Sequence, residues 1–518
     1  MDTAHDRRNR GRPPGAAAPV VVVERFIESI RESGYRNTPA AAAELVDNAL
    51  DAGARRVSMR IPQTGRLDGG GAYLAVLDDG AGMDLGGLRQ ALQFGGSSRF
   101  ASRERLGRFG MGLPNSSLSR ARRLTLFSWR RPCRVLSSYL DVDELASGRM
   151  MTIPEPIPVT LPEPYRSEAG PHGTLVIWSQ WDRFDVVYAG TLERQLRSEL
   201  GRIFRYYLST GCRISVNGKV VLPWDPLFLD PGACNPGARP WGGTLRYEVR
   251  IPGSRRISPV EVRFSELPVE AWYLFSNIEK GRRGITKGAG ASIVRANREI
   301  DYGWFFLDGK RRENYDDWWR CEVRFRPELD ELFGVTFTKQ GIHPGEYLRG
   351  ILSPEITGAA RALNRRIRRR FQALGEKNRP TPSEAAASRH EEFLWPLAGH
   401  PSAGDRRLAR RLGVAPEGVD GSKRFSILVR VLRDEAVLRP LRLDGRVVTV
   451  LNRDHPFHRK LYAPLVEGGA RTAGMKKALE LLLLALTRAE LAGCRRERCA
   501  LQRFRVEWSN LLAGYLGR

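Results

Sequence analysis

Glu44-Leu45-Val46-Asp47-Asn48-Ala49-Leu50-Asp51-Ala52 decides the reading of this chain. Glu44 and Asn48 stand four residues apart, one turn of helix, so both side chains leave the same face. A carboxylate there can activate a water, and an amide oxygen can complete the shell of a phosphate-bound Mg²⁺. Two glycine-bearing segments follow, Asp78-Asp79-Gly80-Ala81-Gly82-Met83 and Gly107-Arg108-Phe109-Gly110-Met111-Gly112, and a Gly173-Thr174 pair comes later. In that order the pieces describe a nucleotide pocket built without a P-loop.

Outward from this stretch, Glu24 to Ser33 has helical periodicity, Gly34 stops it, and Thr38 is the expected N-cap of the helix that carries Glu44 and Asn48 to Gly53. Arg56 to Ile61 and Ala72 to Leu77 read as strands, Leu85 to Phe94 as a short helix, and Gly95 to Ser119 as a mobile, phosphate-facing loop. Strands resume at Arg123 to Trp129, Arg134 to Val142 and Leu175 to Ser179, and Leu192 to Leu208 is helical. Asn217-Gly218 marks a hairpin at the start of a strand-rich stretch, and a long Arg-rich helix is expected from about Ile356 to Leu374. Beyond a polar, proline-bearing linker, strands fall at Phe425 to Val431 and Val447 to Leu451 and helices at Lys476 to Leu491 and Leu501 to Leu516.

A chain of 518 residues with 42% hydrophobic content has room for two to four cored domains. Its formal net charge of +26 favours polyanions, nucleic acid first, although an arginine-rich composition accounts for the excess equally well. The six cysteines include no Cys-x-x-Cys pair and no neighbouring His cluster, which argues against a zinc site and a disulfide framework. No signal peptide is visible, and the apolar run Leu479 to Leu486 is far short of the roughly 20 residues that span a bilayer. The expectation is a cytoplasmic protein with no membrane partner. His455, beside Pro456, reads as part of a structural turn.

The combined motifs resemble the GHKL ATPases, the superfamily of gyrase B-type subunits, Hsp90-type chaperones, sensor histidine kinases and MutL-type repair proteins. The spelling Phe94-Gly95-Gly96-Ser97-Ser98-Arg99 is closest to MORC-like and bacterial relatives. The resemblance implies an α+β chain: a disordered basic arm over 1–22, a Bergerat-type α/β sandwich over 23–209 and a β-rich transducer-like domain over 210–375. A linker over 376–402 and a small C-terminal α/β module over 403–518 complete the expected order. It also implies ATP and Mg²⁺ as cofactors, slow hydrolysis, and a homodimer formed on ATP binding.

Residue by residue, the resemblance makes Glu44 the general base and Asn48 the Mg²⁺ ligand, with Asp51 in the pocket wall. Asp78 takes the place of the carboxylate that accepts the adenine amino group. Gly80 and Gly82 let the backbone pass the base, and Met83 packs on the adenine face or in the core. Gly107, Gly110 and Gly112, with Met111 and Leu113, belong to the phosphate lid. Ser97, Ser98 and Arg99 either touch phosphate or decorate that loop. Thr174 resembles the hydroxyl residue that buttresses the adenine-binding Asp. Lys339, in Thr336-Phe337-Thr338-Lys339-Gln340, matches the second-domain lysine that reaches the γ-phosphate. The segment Ala291 to Asp301 has the strand-plus-turn character that such domains place near the ATP site.

Only His5 precedes Glu44, so a phosphoacceptor histidine ahead of the pocket is a poor fit. The remaining readings are an ATP-driven switch acting on nucleic acid or a nucleic-acid-associated partner, a non-hydrolysing nucleotide-gated scaffold, and an Hsp90-like chaperone.

Overall fold

The computed structural model describes residues 22–517 apart from 33, 69–70, 97–109, 131–133, 287, 337–340, 379, 392–393, 395–396, 398–401, 413–423, 433 and 444–445. The chain divides into two compact units, residues 1–267 with 288–364 and residues 268–287 with 365–518. Residues 1–21 of the arm expected over 1–22, the lid residues Ser97, Ser98, Arg99 and Gly107, and Lys339 lie outside the described residues.

The first unit starts with α1 (Val23–Glu32) and α2 (Thr38–Asp51). Asn37, rather than Thr38, caps α2: its side-chain oxygen accepts the Ala40 N–H at 2.9 Å. Thr38 instead donates its own N–H to Asp185 at 2.8 Å, and Pro39 occupies the first turn. Every residue from Thr38 to Asp47 is buried, and the run Ala40–Ala43 gives the helix the small side chains that a close approach to neighbouring helices requires. The motif helix therefore carries Glu44 and Asp47 into the interior, where buried charges need partners.

Next come β1 (Arg56–Arg60), β2 (Leu74–Asp78), α3 (Leu85–Leu92), α4 (Gly112–Leu118), β3 (Ala121–Trp129), β4 (Val135–Asp141), α5 (Val142–Ala146), β5 (Ile157–Val159), α6 (Tyr165–Glu168), β6 (Gly173–Trp181), α7 (Ala189–Ile203) and α8 (Arg205–Ser209). The strands β7 (Arg213–Val216) and β8 (Lys219–Val220) flank the Asn217-Gly218 turn, where φ is 49° and 76°. Sequence reading assigns this hairpin to the second domain, yet it extends the first sheet, whose order is β5-β4-β3-β6-β2-β1-β7-β8. β1 and β7 run parallel, and the other neighbours are antiparallel. Along β2, Leu74 and Val76 join the large core beneath the helices, while Ala75 and Leu77 join a smaller core with Trp129, Leu161 and Tyr165 on the opposite face. Asp78 ends β2 where both cores meet the pocket.

A second sheet of the same unit holds β9 (Arg239–Arg250), β10 (Ile257–Glu266), β11 (Ala291–Arg295), β12 (Arg298–Gly303) and β13 (Trp319–Phe325), in the order β12-β11-β13-β10-β9. β11 and β12 are joined by Ala296 and Asn297, with φ of 46° and 68°, the pattern of a type I′ hairpin turn. A long helix, Glu346–Asn378, buries Leu348, Leu352, Ile356, Ala360 and Leu363 in one stripe.

The second unit has a sheet of β14 (Phe425–Arg430), β15 (Leu438–Leu443) and β16 (Arg446–Asn452), ordered β14-β16-β15, with helices Ala473–Ala492 and Arg495–Tyr515. Two features differ from the sequence reading. Part of the expected linker is a helix, Pro382–His390, capped reciprocally by Thr381 and Glu384, and Glu384 also accepts the Ile427 N–H at 3.0 Å. β15 is absent from the sequence reading because Pro440 interrupts it, and an edge strand tolerates proline. His455 is buried in a turn, its ring nitrogens bonded to Ser509 O and Phe457 N.

Candidate nucleotide site

One end of the site is built from neighbouring strands. Asp78 pairs in register with Thr174, and Thr174 pairs with Ser128 on its other side. Asp78 Oδ1 accepts the Gly80 N–H at 2.8 Å, which folds the turn back over the strand end. Burial pushes the Asp78 carboxyl up to about 7 even though the Gly80 and Thr174 N–H groups draw it down. Asp79 faces outward and plays a different part. It accepts the N–H groups of Arg55 and Arg56, both at 2.8 Å, and fixes the start of β1.

The glycines are set by space. At Gly82, φ is 66° and an added Cβ would stand 2.1 Å from Trp129 O. At Gly173 an added Cβ would stand 2.3 Å from Asp78 O. Ser128 Oγ ties the floor together, accepting the Met83 N–H at 2.8 Å and lying 3.1 Å from Gly173 O and 3.2 Å from Thr174 Oγ1. Met83 is half-buried and packs on the main core. His172 Nδ1 lies 2.7 Å from Gly80 O. Neither Ser128 nor His172 stands out in the sequence. The in-register position of Ser128 beside Thr174 is the available signal.

The other end is built from distant segments. Glu44 is buried on α2, with the half-buried Asn48 one turn further and Asp51 half-buried at the helix end. Gly112, the first residue of α4, faces Glu44: an added Cβ would stand 2.8 Å from Glu44 Oε2. Met111 caps α4 without a side-chain hydrogen bond, and Met111, Gly112 and Leu113 are half-buried. The two described ends of the glycine-rich loop meet, the Gly95 N–H donating to Gly110 O at 3.0 Å.

Behind Glu44 lies a cation that the sequence reading does not single out. Arg298, the first residue of β12, bonds Asp47 at 3.0 Å and approaches Glu44 Oε1 at 4.0 Å. Burial lowers its proton affinity, but Asp47 and Glu44 outweigh that and raise it above the usual value. Tyr35 is buried nearby, and burial followed by Glu44 drives its phenol well above the ordinary range. Asp47, three residues after Glu44, is buried on the same helix. Among the described residues, no cluster of His, Cys, Asp and Glu is arranged to hold a metal ion on its own.

A strand-end acid, a glycine turn, a helix-borne Glu and Asn, and a glycine at the head of a short helix stand together in an α/β sandwich of the GHKL type. Residues 35–169 match the family model described as histidine kinase-, DNA gyrase B-, and HSP90-like ATPase, and the N-terminal region of this chain is such a domain. The chain is similar to human ATPase MORC2, 40% identical over 89 residues, which is 17% of this chain and 8% of that protein. It is similar to DNA mismatch repair protein MutL of Rhodospirillum rubrum, 41% identical over 96 residues, 17% of this chain and 14% of that protein. MutL of Desulforudis audaxviator is 33% identical over 197 residues, 36% of this chain and 31% of the relative. In each case the match spans less than a third of the relative's own length. No helix among the described residues is long and apolar enough to cross a membrane.

Proposed function

We propose that this chain is an ATP-driven conformational switch that hydrolyses Mg²⁺-ATP slowly, dimerises when it binds ATP, and acts on nucleic acid or a nucleic-acid-associated partner. The observation that carries the reading is Glu44, buried on α2 with Asn48 one turn away and Gly112 against its carboxylate. The residues fit a magnesium nucleotide. Asn48 offers a neutral oxygen, and Mg²⁺ needs few protein ligands when phosphate oxygens and waters supply the rest. Gly112 leaves clear the space beside Glu44 that a Cβ would fill.

Bound Mg²⁺-ATP supplies the γ-phosphoryl group and neutralises part of its charge. Glu44 orients the attacking water and takes up its proton. Asp78 accepts from the adenine amino group, Thr174 buttresses it through its hydroxyl, and Gly80 and Gly82 admit the base. Gly107, Gly110 and Gly112 bring main-chain N–H groups to the phosphates. Lys339 adds a cation as charge builds on the transferring group. The net charge of +26 and the similarity to a DNA mismatch repair protein support a polyanion or its bound partner as the object of the switch.

The test compares wild type with Glu44→Ala for Mg²⁺-ATP hydrolysis, ATP-analogue binding and dimerisation, with and without DNA. The variant is expected to bind nucleotide, to lose about 100-fold or more in turnover, and to accumulate as dimer. Absence of wild-type turnover despite binding would leave a nucleotide-gated scaffold. DNA contact is measured as a salt series, since phosphate contacts weaken steeply as salt rises.

A further inference from the structure

The proposed general base is faced by a cation from a distant part of the chain. Arg298 opens β12 in the second sheet, directly after the two-residue turn at Ala296 and Asn297. Both turn residues have positive φ, and Ala296 adopts it without the ease of a glycine, the kind of backbone cost that persists where a position is over-determined. The rest of the hairpin is anchored. Glu299 is bound by Arg202 and Arg205, each at 3.0 Å, and Arg295 is paired with Asp330 at 2.6 Å.

From this rigid hairpin Arg298 enters a pocket that excludes water. The side chains of Arg298, Glu44 and Asp47 are 4%, 3% and 0% exposed. Two carboxylates and one guanidinium share that space, so both acids face the same cation. Asp47 takes the Nε–H at 3.0 Å, and Nη2 stands 4.0 Å from Glu44 Oε1. The other Glu44 oxygen faces Gly112. The Glu44 carboxylate is thus bounded by the second sheet on one side and by α4 on the other.

We propose that Arg298 is a positioning residue for Glu44: the β11–β12 hairpin sets the aim of the general base, so hydrolysis depends on how the second sheet is seated on the helix that carries it. The proposal rests on the hydrolytic reading above and names its control element. Arg298 acts through Glu44, with Asp47 as the counter-ion that holds it in place.

The experiment measures Mg²⁺-ATP turnover, KM, ATP-analogue affinity and melting temperature for the full chain and three variants. Arg298→Gln alone leaves Asp47 buried without its cation and is expected to be unstable, so the informative pair is Asp47→Asn and the neutral double variant Asp47→Asn/Arg298→Gln. Asp47→Asn keeps an oxygen that accepts the Arg298 Nε–H and serves as the baseline against which the double variant is read, whatever its own kcat. The double variant is expected to fold and bind the analogue as well as Asp47→Asn, yet to lose about tenfold or more in kcat at nearly constant KM. Arg298→Lys, which keeps the charge, is expected to recover part of that loss. A double variant that turns over as fast as Asp47→Asn would overturn the proposal, since Arg298 would then only neutralise Asp47. Loss of analogue affinity in step with kcat would also overturn it, because the residue would then be holding the whole pocket. A wild type that binds ATP without turnover sinks the hydrolytic reading, and this one with it.

Discussion

The two ends of the nucleotide site are built in opposite ways. Around Asp78 the parts lie on adjacent strands, and the glycines meet backbone: Trp129 O beside Gly82 and Asp78 O beside Gly173. Around Glu44 the parts come from α2, α4 and β12, and Gly112 meets only the tip of a side chain. Backbone cannot yield cheaply, whereas a carboxylate can rotate aside. On the proposed function, the first end therefore ties recognition to the integrity of the sheet. The second leaves catalysis adjustable without unfolding anything.

Changing one methyl at each end tests that contrast most severely. Gly82→Ala forces a Cβ against a carbonyl at positive φ and is expected to cost about 3 kcal/mol or more, read from the denaturant midpoint. Gly112→Ala is expected to lower kcat about thirtyfold while leaving the denaturant midpoint nearly unchanged, since the displaced group is Glu44 and alanine suits a helix better than glycine. If Gly112→Ala unfolds the protein, or Gly82→Ala changes only turnover, the contrast is wrong.

Smaller effects sharpen it. If Asp78 accepts from the adenine amino group as proposed, Asp78→Asn is expected to weaken ATP-analogue binding about tenfold by calorimetry, because the amide is a weaker acceptor. The same position makes a pH signature. Its carboxyl holds a proton up to about 7 in the folded protein, against about 4 when unfolded. Between those values the folded state binds the extra proton, so this contribution to stability is complete below about pH 4 and is lost as pH rises through about 7. Asp78→Asn should flatten that slope. Nucleotide affinity should rise over the same upper range, because the base needs the ionised acceptor. Ser128→Ala, which strips the acceptor from the Met83 N–H, is expected to cost about 1 kcal/mol.

Much of the strand-built end is legible in the sequence. Asp78 follows an apolar run that reads as a strand, and Gly80 and Gly82 mark the turn that a close backbone approach requires. The Gly173-Thr174 pair lies beside it because β6 is the antiparallel neighbour of β2. The Glu44 end is half legible. Helical spacing puts Glu44 and Asn48 on one face, but no local pattern says that Asp47 is buried or that Arg298 meets it. The segment from Ala291 to Asp301 can be placed near the site only by resemblance, and an arginine in an arginine-rich chain carries no mark of its burial. Lys339, the residue expected to couple the domains, lies outside the described residues, and so does Gly107. The helix Pro382–His390 is a different kind of miss. Its Thr381-x-x-Glu384 box is plain in the sequence, but the surrounding prolines and polarity outweigh it.

The four consecutive alanines at positions 40–43 are all but sealed from solvent, on a helix that packs against α4 and α7, and their size sets how closely it can sit there. Glu44 follows directly, so its depth is inherited from theirs. A larger side chain there would lift the helix, and the acid with it, without touching any group that binds or reacts. Mutational tolerance should accordingly be low at residues with no chemistry of their own, and a deep mutational scan would find intolerant positions in that alanine run as much as in the acid it seats.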